Sequence, residues 1–168
     1  DQVTREETRI VVLPQVIIES AMFYQEDGKR RGIEITLEDR STQNRVSGHP
    51  ELIRQVLMNI FDNCVKYSEH GHSVIVNQWI QSRTSTAIIE IVSKPKYDVL
   101  SSDLDKLCDL GFRGDNARKM VASGTGLGLY ICRRIVENVH GGEFYIQNEA
   151  GGKIKFLIKI PGGSVQGR

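Results

Sequence analysis

The sequence has 168 residues, of which 39% are hydrophobic and 26% are charged, and its formal net charge is +1 at pH 7. This length suits one domain with a sizeable core, and the near-neutral charge gives no reason to expect nucleic acid or an anionic membrane as a partner. No apolar run approaches the ~20 residues of a membrane helix, and the N-terminus does not read as a signal peptide.

The apolar pattern of the first half predicts two long helices and three short strands. A strand at 11–13 precedes a helix that opens at Pro14 and ends near Arg31, since proline favours a first helical turn. After strands at 33–37 and 45–47, a second helix runs from 50 to about 68. Its apolar side is formed by Ile53, Val56, Leu57, Ile60, Phe61 and Cys64.

The second half predicts strands at 74–80 and 87–92, a short helix at 100–110, a helix at 130–139 and a closing hairpin of strands at 144–147 and 154–160. The charged segment 111–123 is expected to be a mobile lid. Three main helices and antiparallel strand pairs predict an α/β two-layer sandwich, with a mixed, mostly antiparallel sheet covered on one face by the helices. One domain would span 1–161, followed by a flexible tail at 162–168.

The three cysteines, Cys64, Cys108 and Cys132, lack paired spacing. They are expected to be buried thiols in a reducing compartment rather than disulfides or zinc ligands.

A glycine-rich loop runs directly into the helix predicted at 130–139. Its residues are Gly124, Thr125, Gly126, Leu127, Gly128 and Leu129. Leu127, Ile131, Ile135 and Val139 are spaced four apart, which predicts one apolar helix face. Glycines at a helix N-terminus let backbone N–H groups approach an anion, so this corner could hold a phosphate. The alternative is that the glycines only permit tight packing, and the loop alone does not decide between them.

A polar stripe on the second helix favours the phosphate site. Asn59, Asn63 and Lys66 stand at i, i+4 and i+7 and share a face, with Asp62 beside them. An asparagine carbonyl can ligate Mg²⁺, which takes the rest of its shell from phosphates and water, and Lys66 adds a point charge. A solvated polar surface is the plainer explanation, but the glycine loop makes the binding site the better one.

Together these segments resemble the N box and G2 box of sensor histidine kinases, whose catalytic domain has the Bergerat (GHKL) ATP-binding fold. The resemblance covers roughly 5–161 and includes the His-Gly-Gly at 140–142. Gly111-Phe112-Arg113-Gly114, just ahead of the glycine loop, is similar to the family's F-box region. No unrelated family is known to us that combines these motifs in this order.

The resemblance implies a role for each matching residue. Asn63 would carry Mg²⁺, Lys66 would contact phosphate, and Tyr67 would pack near the base or ribose. Arg113 would contact the γ-phosphate, and Gly124, Gly126 and Gly128 would wrap the triphosphate with help from Thr125, flanked by Leu127 and Leu129. These residues imply ATP and Mg²⁺ as cofactors.

Asn59 stands where the resemblance places a water-activating glutamate in hydrolytic relatives. Asparagine cannot act as a general base at neutral pH. Phosphoryl transfer to a protein side chain is therefore favoured over efficient ATP hydrolysis.

One segment departs from the family pattern. The G1 box of the family reads Asp-x-Gly-x-Gly after a buried strand, and the Asp accepts a hydrogen bond from the adenine amino group. If Val99 matches the apolar residue after the box, Lys94 holds the Asp position and Lys96 and Asp98 hold the glycine positions. Lysine has no acceptor, so weak ATP binding and poor discrimination against GTP are expected, unless Asp98 or Asp103 supplies the acceptor.

The resemblance implies the ATP-binding catalytic domain of a two-component sensor histidine kinase, which donates the ATP γ-phosphate to a histidine on a separate dimerisation domain. The full-length protein would be a homodimer that works with a response regulator receiver domain, either cytoplasmic or the cytoplasmic part of a membrane-bound sensor. Because the chain begins at Asp1 rather than Met, we expect the acceptor histidine to lie upstream. Two alternatives remain: a degenerate GHKL module that regulates or docks a partner, and an anti-sigma-type serine kinase.

Overall fold

The computed structural model describes residues 8–98, 101–104, 106–109 and 128–165. In chain order its elements are β1 (Arg9–Val12), α1 (Leu13–Arg30), β2 (Ile35–Leu37), β3 (Arg45–Gly48), α2 (Pro50–Tyr67), β4 (Val74–Gln81), β5 (Thr86–Ser93), α3 (Ser101–Leu104), α4 (Gly128–Arg133), a π-helical segment (Arg134–Val139), β6 (Glu143–Glu149), β7 (Lys153–Pro161) and β8 (Gly163–Ser164).

Five strands form the main sheet in the order β2-β4-β5-β7-β6. β2 pairs with β4 in parallel, and the other neighbours are antiparallel. Alternate residues of β7 are buried, because a pleated strand with one face on the core places every second side chain inside. The mixed, mostly antiparallel sheet and the helices confirm the predicted α/β class.

Helix α2 buries the apolar side that the sequence predicts. All six predicted residues, Ile53, Val56, Leu57, Ile60, Phe61 and Cys64, are at most 3% exposed. They belong to one apolar cluster with the inward residues of β5 and β7. This packing fixes the orientation of α2 and therefore the position of the polar stripe, whose residue Asn63 is itself buried at the edge of the core.

A second, three-stranded sheet has the order β1-β3-β8. Its last strand, Gly163–Ser164, pairs with β3, whereas the sequence predicts a flexible tail from 162. A Cβ at Gly163 would lie 2.7 Å from the backbone nitrogen of Ala87, so this glycine permits close packing against β5. A two-residue strand without apolar alternation leaves no signal in the sequence.

The helix after the glycine loop differs from the expected one. An α-helix at Gly128–Arg133 changes to a π-helical segment at Arg134–Val139. The buried residues are Leu129, Cys132, Ile135 and Val136. The predicted face through Ile131, Ile135 and Val139 is therefore wrong in part, because the wider π turn shifts the register that a regular 3.6-residue period assumes.

The short helix predicted at 100–110 is one helical turn, Ser101–Leu104, followed by a turn around 106–108. Residues 99, 100, 105 and 110–127 lie outside the described part of the chain, and with them the predicted lid at 111–123.

Candidate functional site

The polar stripe of α2 meets the start of α4. The Nδ2 atom of Asn59 donates a hydrogen bond of 3.3 Å to the backbone oxygen of Gly128. Deeper in the same contact, the Sγ of Cys132 lies 3.6 Å from the backbone oxygen of Val56. Gly128 is the last glycine of the predicted phosphate loop, so the two motifs that the sequence singles out are adjacent in space.

Within this contact, Leu129 is buried at 8% exposure while Gly128 is exposed. The other predicted loop residues, Gly124, Thr125, Gly126 and Leu127, and the predicted γ-phosphate contact Arg113, lie outside the described residues.

Asn63 and Lys66 lie on the same helix with different surroundings. The Asn63 side chain is 8% exposed, whereas Lys66 is exposed. The Lys66 ammonium lies 3.0 Å from the Asp62 carboxylate, and both side chains are 41% exposed. Exposed ion pairs of this kind contribute ~0–1 kcal/mol, so a phosphate group can compete for this lysine.

The donor set of this stripe fits a magnesium ion. Asn63 offers an amide oxygen and Asp62 a carboxylate, and Mg²⁺ prefers such hard oxygen ligands. No group of three or more His, Cys, Asp or Glu that could hold a metal is found among the described residues. A site with few protein ligands suits Mg²⁺, because this ion keeps several waters and binds substrate phosphates.

The atypical segment after β5 runs along the end of α2. The backbone N–H of Glu69 donates to the oxygen of Lys94 at 2.7 Å, and the N–H of Lys96 donates to the oxygen of Tyr67 at 3.0 Å. Between them, Ser68 and Pro95 form an isolated antiparallel bridge. Tyr67, half-buried, packs against the core. The segment is therefore positioned beside the N box even though its sequence is unusual.

The Lys94 side chain is turned toward the β6–β7 turn. Its ammonium lies 3.7 Å from the Glu69 carboxylate and 3.1 Å from the point that a Cβ on Gly152 would occupy. The Asp98 Oδ1 lies 3.6 Å from the same point. Lys94 and Asp98 thus share the rim of this turn, and Asp103 lies in α3.

Ser93, the residue before Lys94, is buried beside α2 and is not among the residues that the sequence motifs single out. Ser93 is 6% exposed and continues the inward-facing alternation of β5 after Ala87, Ile89 and Ile91. Its hydroxyl is hydrogen-bonded to the Cys64 thiol of α2. The period-2 pattern of the strand could have identified it, because that pattern places 93 on the inner face and 94 outside it.

The three thiols are buried and free of disulfides, as predicted. Burial raises the pKa of Cys64 to about 12, and the hydrogen bond with Ser93 opposes this rise. Burial also raises the pKa of Cys108 to about 11 and raises that of Cys132. Because the thiolate is the nucleophile, these cysteines serve packing rather than covalent chemistry.

A cleft of about 510 Å³ lies at the far end of α1, lined by Gln25, Lys29, Gly32, Ile33, Glu34, Gly71 and Ser73. It contains none of the predicted site residues, so it is not part of this site. Within the described ranges, no helix is both long enough and apolar enough to cross a membrane.

Known proteins are similar to this chain in sequence and in fold. Sensor protein SrrB of Staphylococcus aureus (strain NCTC 8325 / PS 47) is 31% identical over 107 residues, which are 64% of this chain and 18% of SrrB. The chain therefore matches less than a fifth of the length of this relative.

Two solved structures share the architecture. The nucleotide-free catalytic domain of histidine kinase ThkA superposes with a TM-score of 0.78 at 22% identity, covering 93% of this chain and 96% of that one. ThkA in complex with the response regulator protein TrrA gives a TM-score of 0.72 at 20% identity, covering 92% of this chain and 42% of that one.

A family model described as histidine kinase-, DNA gyrase B- and HSP90-like ATPase matches residues 48–164. The matched range starts at the end of β3 and includes α2, the glycine-rich loop and the closing hairpin. By this match the chain belongs to the histidine kinase-, DNA gyrase B- and HSP90-like ATPase family.

Proposed function

We propose that this chain is the ATP-binding catalytic domain of a two-component sensor histidine kinase and donates the ATP γ-phosphate to a histidine on a separate dimerisation domain. The observation that carries the proposal is the Asn59–Gly128 hydrogen bond of 3.3 Å. It brings the polar stripe of α2 beside the end of the glycine-rich segment, as a shared polyphosphate site requires. Family membership and the likeness to SrrB support the same reading.

In this proposal the chain binds and orients the triphosphate. Asn63 supplies the protein oxygen for Mg²⁺, and Lys66 leaves Asp62 to contact phosphate. Tyr67 packs near the base or ribose. The glycines of 124–128 and the Thr125 hydroxyl wrap the phosphates, and Arg113 reaches the γ-phosphate. When bound, Mg²⁺ neutralises charge on the phosphate oxygens.

Asn59 favours transfer over hydrolysis. Its side-chain NH₂ group is used in the bond to Gly128, and an amide cannot take a proton from water at neutral pH. Because position 59 carries an amide and not a carboxylate, it cannot activate water as the acceptor. An imidazole on another domain, already nucleophilic, needs less activation.

The partners of the proposed kinase follow from the same assignment. They are a histidine-bearing dimerisation domain, a response regulator receiver domain as in the ThkA–TrrA complex, and a second copy in the full-length homodimer. We place the domain in the cytoplasm, on its own or as the cytoplasmic part of a membrane-bound sensor.

Phosphotransfer in trans tests the proposal. The chain is mixed with a dimerisation domain and Mg–ATP carrying a radiolabelled γ-phosphate. The expected product is acid-labile, base-stable label on the dimerisation domain and none on the chain itself, since none of its four histidines lies in a His-Glu or His-Asp acceptor motif. Label on a histidine of this chain would contradict the assignment of the acceptor. Absence of both label and nucleotide binding would contradict the function.

A further inference from the structure

The face of the main sheet that points away from α2 carries large apolar side chains. An antiparallel sheet with one face on a core commonly presents polar residues on the other face. On β4, β5 and β7, however, the residues between the buried positions include five large apolar ones. With one tyrosine of β6 they form the outer patch: Ile75, Trp79, Ile88, Val92, Leu157 and Tyr145.

The outer patch has a buried centre of its own. Ile88 is 4% exposed, yet it lies outside the apolar cluster that packs against α2. It pairs with Trp79 of β4 and with Lys159 of β7, whose side chains share its face. Trp79 and Tyr145 are each 39% exposed within the described part of the chain. The patch is therefore a second, smaller apolar cluster with an open aromatic rim, and an open apolar surface of this kind marks an interaction site.

The charges around the outer patch are paired within one chain. Lys155 lies 3.6 Å from the Glu90 carboxylate and 2.6 Å from that of Glu149. The Lys159 ammonium lies 5.7 Å from the centre of the Tyr145 ring. A strongly charged partner gains little from such a face. A second copy brings the same internally paired charges, and a net charge of +1 per chain causes little long-range repulsion between copies.

The dimensions of this face also suit a second copy. β4 and β5 have eight residues each. With ~3.4 Å per residue and ~4.8 Å between strands, β4, β5, β7 and β6 together present roughly 500 Å². Two such faces bury roughly 1,000 Å² in total, which is at the lower end of specific interfaces. An interface of this size gives a weak dimer that forms as the concentration rises.

We propose that two copies of this chain associate through the outer patch, face to face about a two-fold axis. Trp79 of each copy then packs on the apolar residues of the other, as in any isologous interface. The polar stripe belongs to α2, which packs on the opposite face of the sheet. The association therefore leaves the proposed nucleotide site of both copies uncovered, and it does not depend on nucleotide binding.

Sedimentation velocity of the 168-residue chain between about 10 μM and about 1 mM measures this association. We expect monomer at the low end and dimer at the high end. Trp79 is the only tryptophan of the sequence, so its emission should shift to shorter wavelengths, and its quenching by acrylamide should decrease, as the dimer forms.

Two glutamate variants locate the interface. Trp79→Glu should raise the dimer dissociation constant by about tenfold or more, because tryptophan is enriched among the residues that dominate interface energies. Phe23→Glu introduces the same charge on α1, at a side chain that is 69% exposed. This matched control should leave the dissociation constant unchanged.

A charge at position 79 can weaken the sheet itself, so Trp79→Thr, which keeps a strand-forming residue and removes the ring, is measured alongside. Thermal melting verifies each variant. Monomer at every concentration, with unchanged tryptophan emission, would overturn the proposal. So would a dimer that the folded Trp79 variants leave intact, or one that Phe23→Glu weakens as much as Trp79→Glu. The wild-type emission requires no variant and decides alone if neither Trp79 variant folds.

Discussion

The side-chain amide of Asn59 on α2 donates to the backbone oxygen of Gly128 at the first residue of α4, at 3.3 Å. These residues are 69 positions apart in the sequence. Below them, the buried Leu129 and Cys132 pack into the core. The apolar contact holds α4 on α2, and the amide links Gly128 at the first described turn of α4 to the polar stripe.

Removal of this amide should loosen the start of α4. Asn59→Ala loses one partly exposed hydrogen bond, so we expect a loss of ~0.5–1.5 kcal/mol in the free energy of unfolding. Faster amide hydrogen exchange should be confined to the first turn of α4 and the adjoining part of α2. Gln55→Ala, an exposed residue one turn earlier on α2, is the control and should change neither. Equal amide hydrogen exchange in Asn59→Ala and Gln55→Ala would show that the Asn59–Gly128 bond does not hold α4.

Gly128→Ala separates folding from nucleotide binding. A Cβ at Gly128 would meet no atom of the described residues within 4 Å, and alanine in a helix is more stable than glycine by ~0.5–1 kcal/mol. The melting temperature should therefore stay the same or rise slightly. If phosphate approaches this backbone, the added methyl group should weaken Mg–ATP binding by about tenfold, or ~1.4 kcal/mol.

Gly142→Ala is the contrasting variant. A Cβ there would lie 2.0 Å from the Lys159 oxygen, so we expect a loss of ~1–3 kcal/mol from overpacking. Calorimetric melting checks both variants. Undiminished Mg–ATP affinity in Gly128→Ala would remove this residue from the site.

His140 should make stability depend on pH. Its Nε2 accepts the backbone N–H of His49 at 3.1 Å, and its Nδ1 lies 2.9 Å from the Ile135 oxygen, so the ring is neutral with its proton on Nδ1. Burial lowers the pKa of His140 below its ordinary 6.5, opposed by the Ile135 bond and assisted by His49. The unfolded state therefore binds more protons at mildly acidic pH. The contribution of the neutral His140 to stability should be fully present above the pKa that this histidine has in the unfolded state. It should be lost progressively as the pH drops below that value.

Urea unfolding between about pH 5 and pH 8 measures this dependence. His140→Asn should be less stable at neutral pH but show a flatter pH profile. His70→Gln, in the exposed turn before β4, should keep the wild-type profile. Identical profiles in wild type and His140→Asn would rule out this histidine as the source.

Residues with a strong local signal were predictable from the sequence. The apolar side of α2 repeats at helical spacing, and all six of its predicted residues are buried. The adjacency of Asn59 and Gly128 was predictable only through the family resemblance, because nothing local relates residues that far apart.

The remaining differences between the predicted and the observed elements have physical causes. The π-helical segment adds a residue to a turn, which a regular period cannot anticipate. Gly163–Ser164 forms a strand only because β3 is available to pair with it. Counting back from Val99 places Lys94 at the acceptor position, whereas the pleat of β5 turns Ser93 inward.

Asn63 is the residue on which the proposed Mg²⁺ and triphosphate site of α2 depends most. Isothermal titration of Mg–ATP into the wild-type chain and into Asn63→Ala, with thermal melting of both, tests this most directly. We predict Mg-dependent binding in the wild type, its loss in Asn63→Ala, and nearly equal melting temperatures. Equal Mg–ATP affinity in the two proteins, or no detectable binding to the wild type at millimolar nucleotide, would contradict the account.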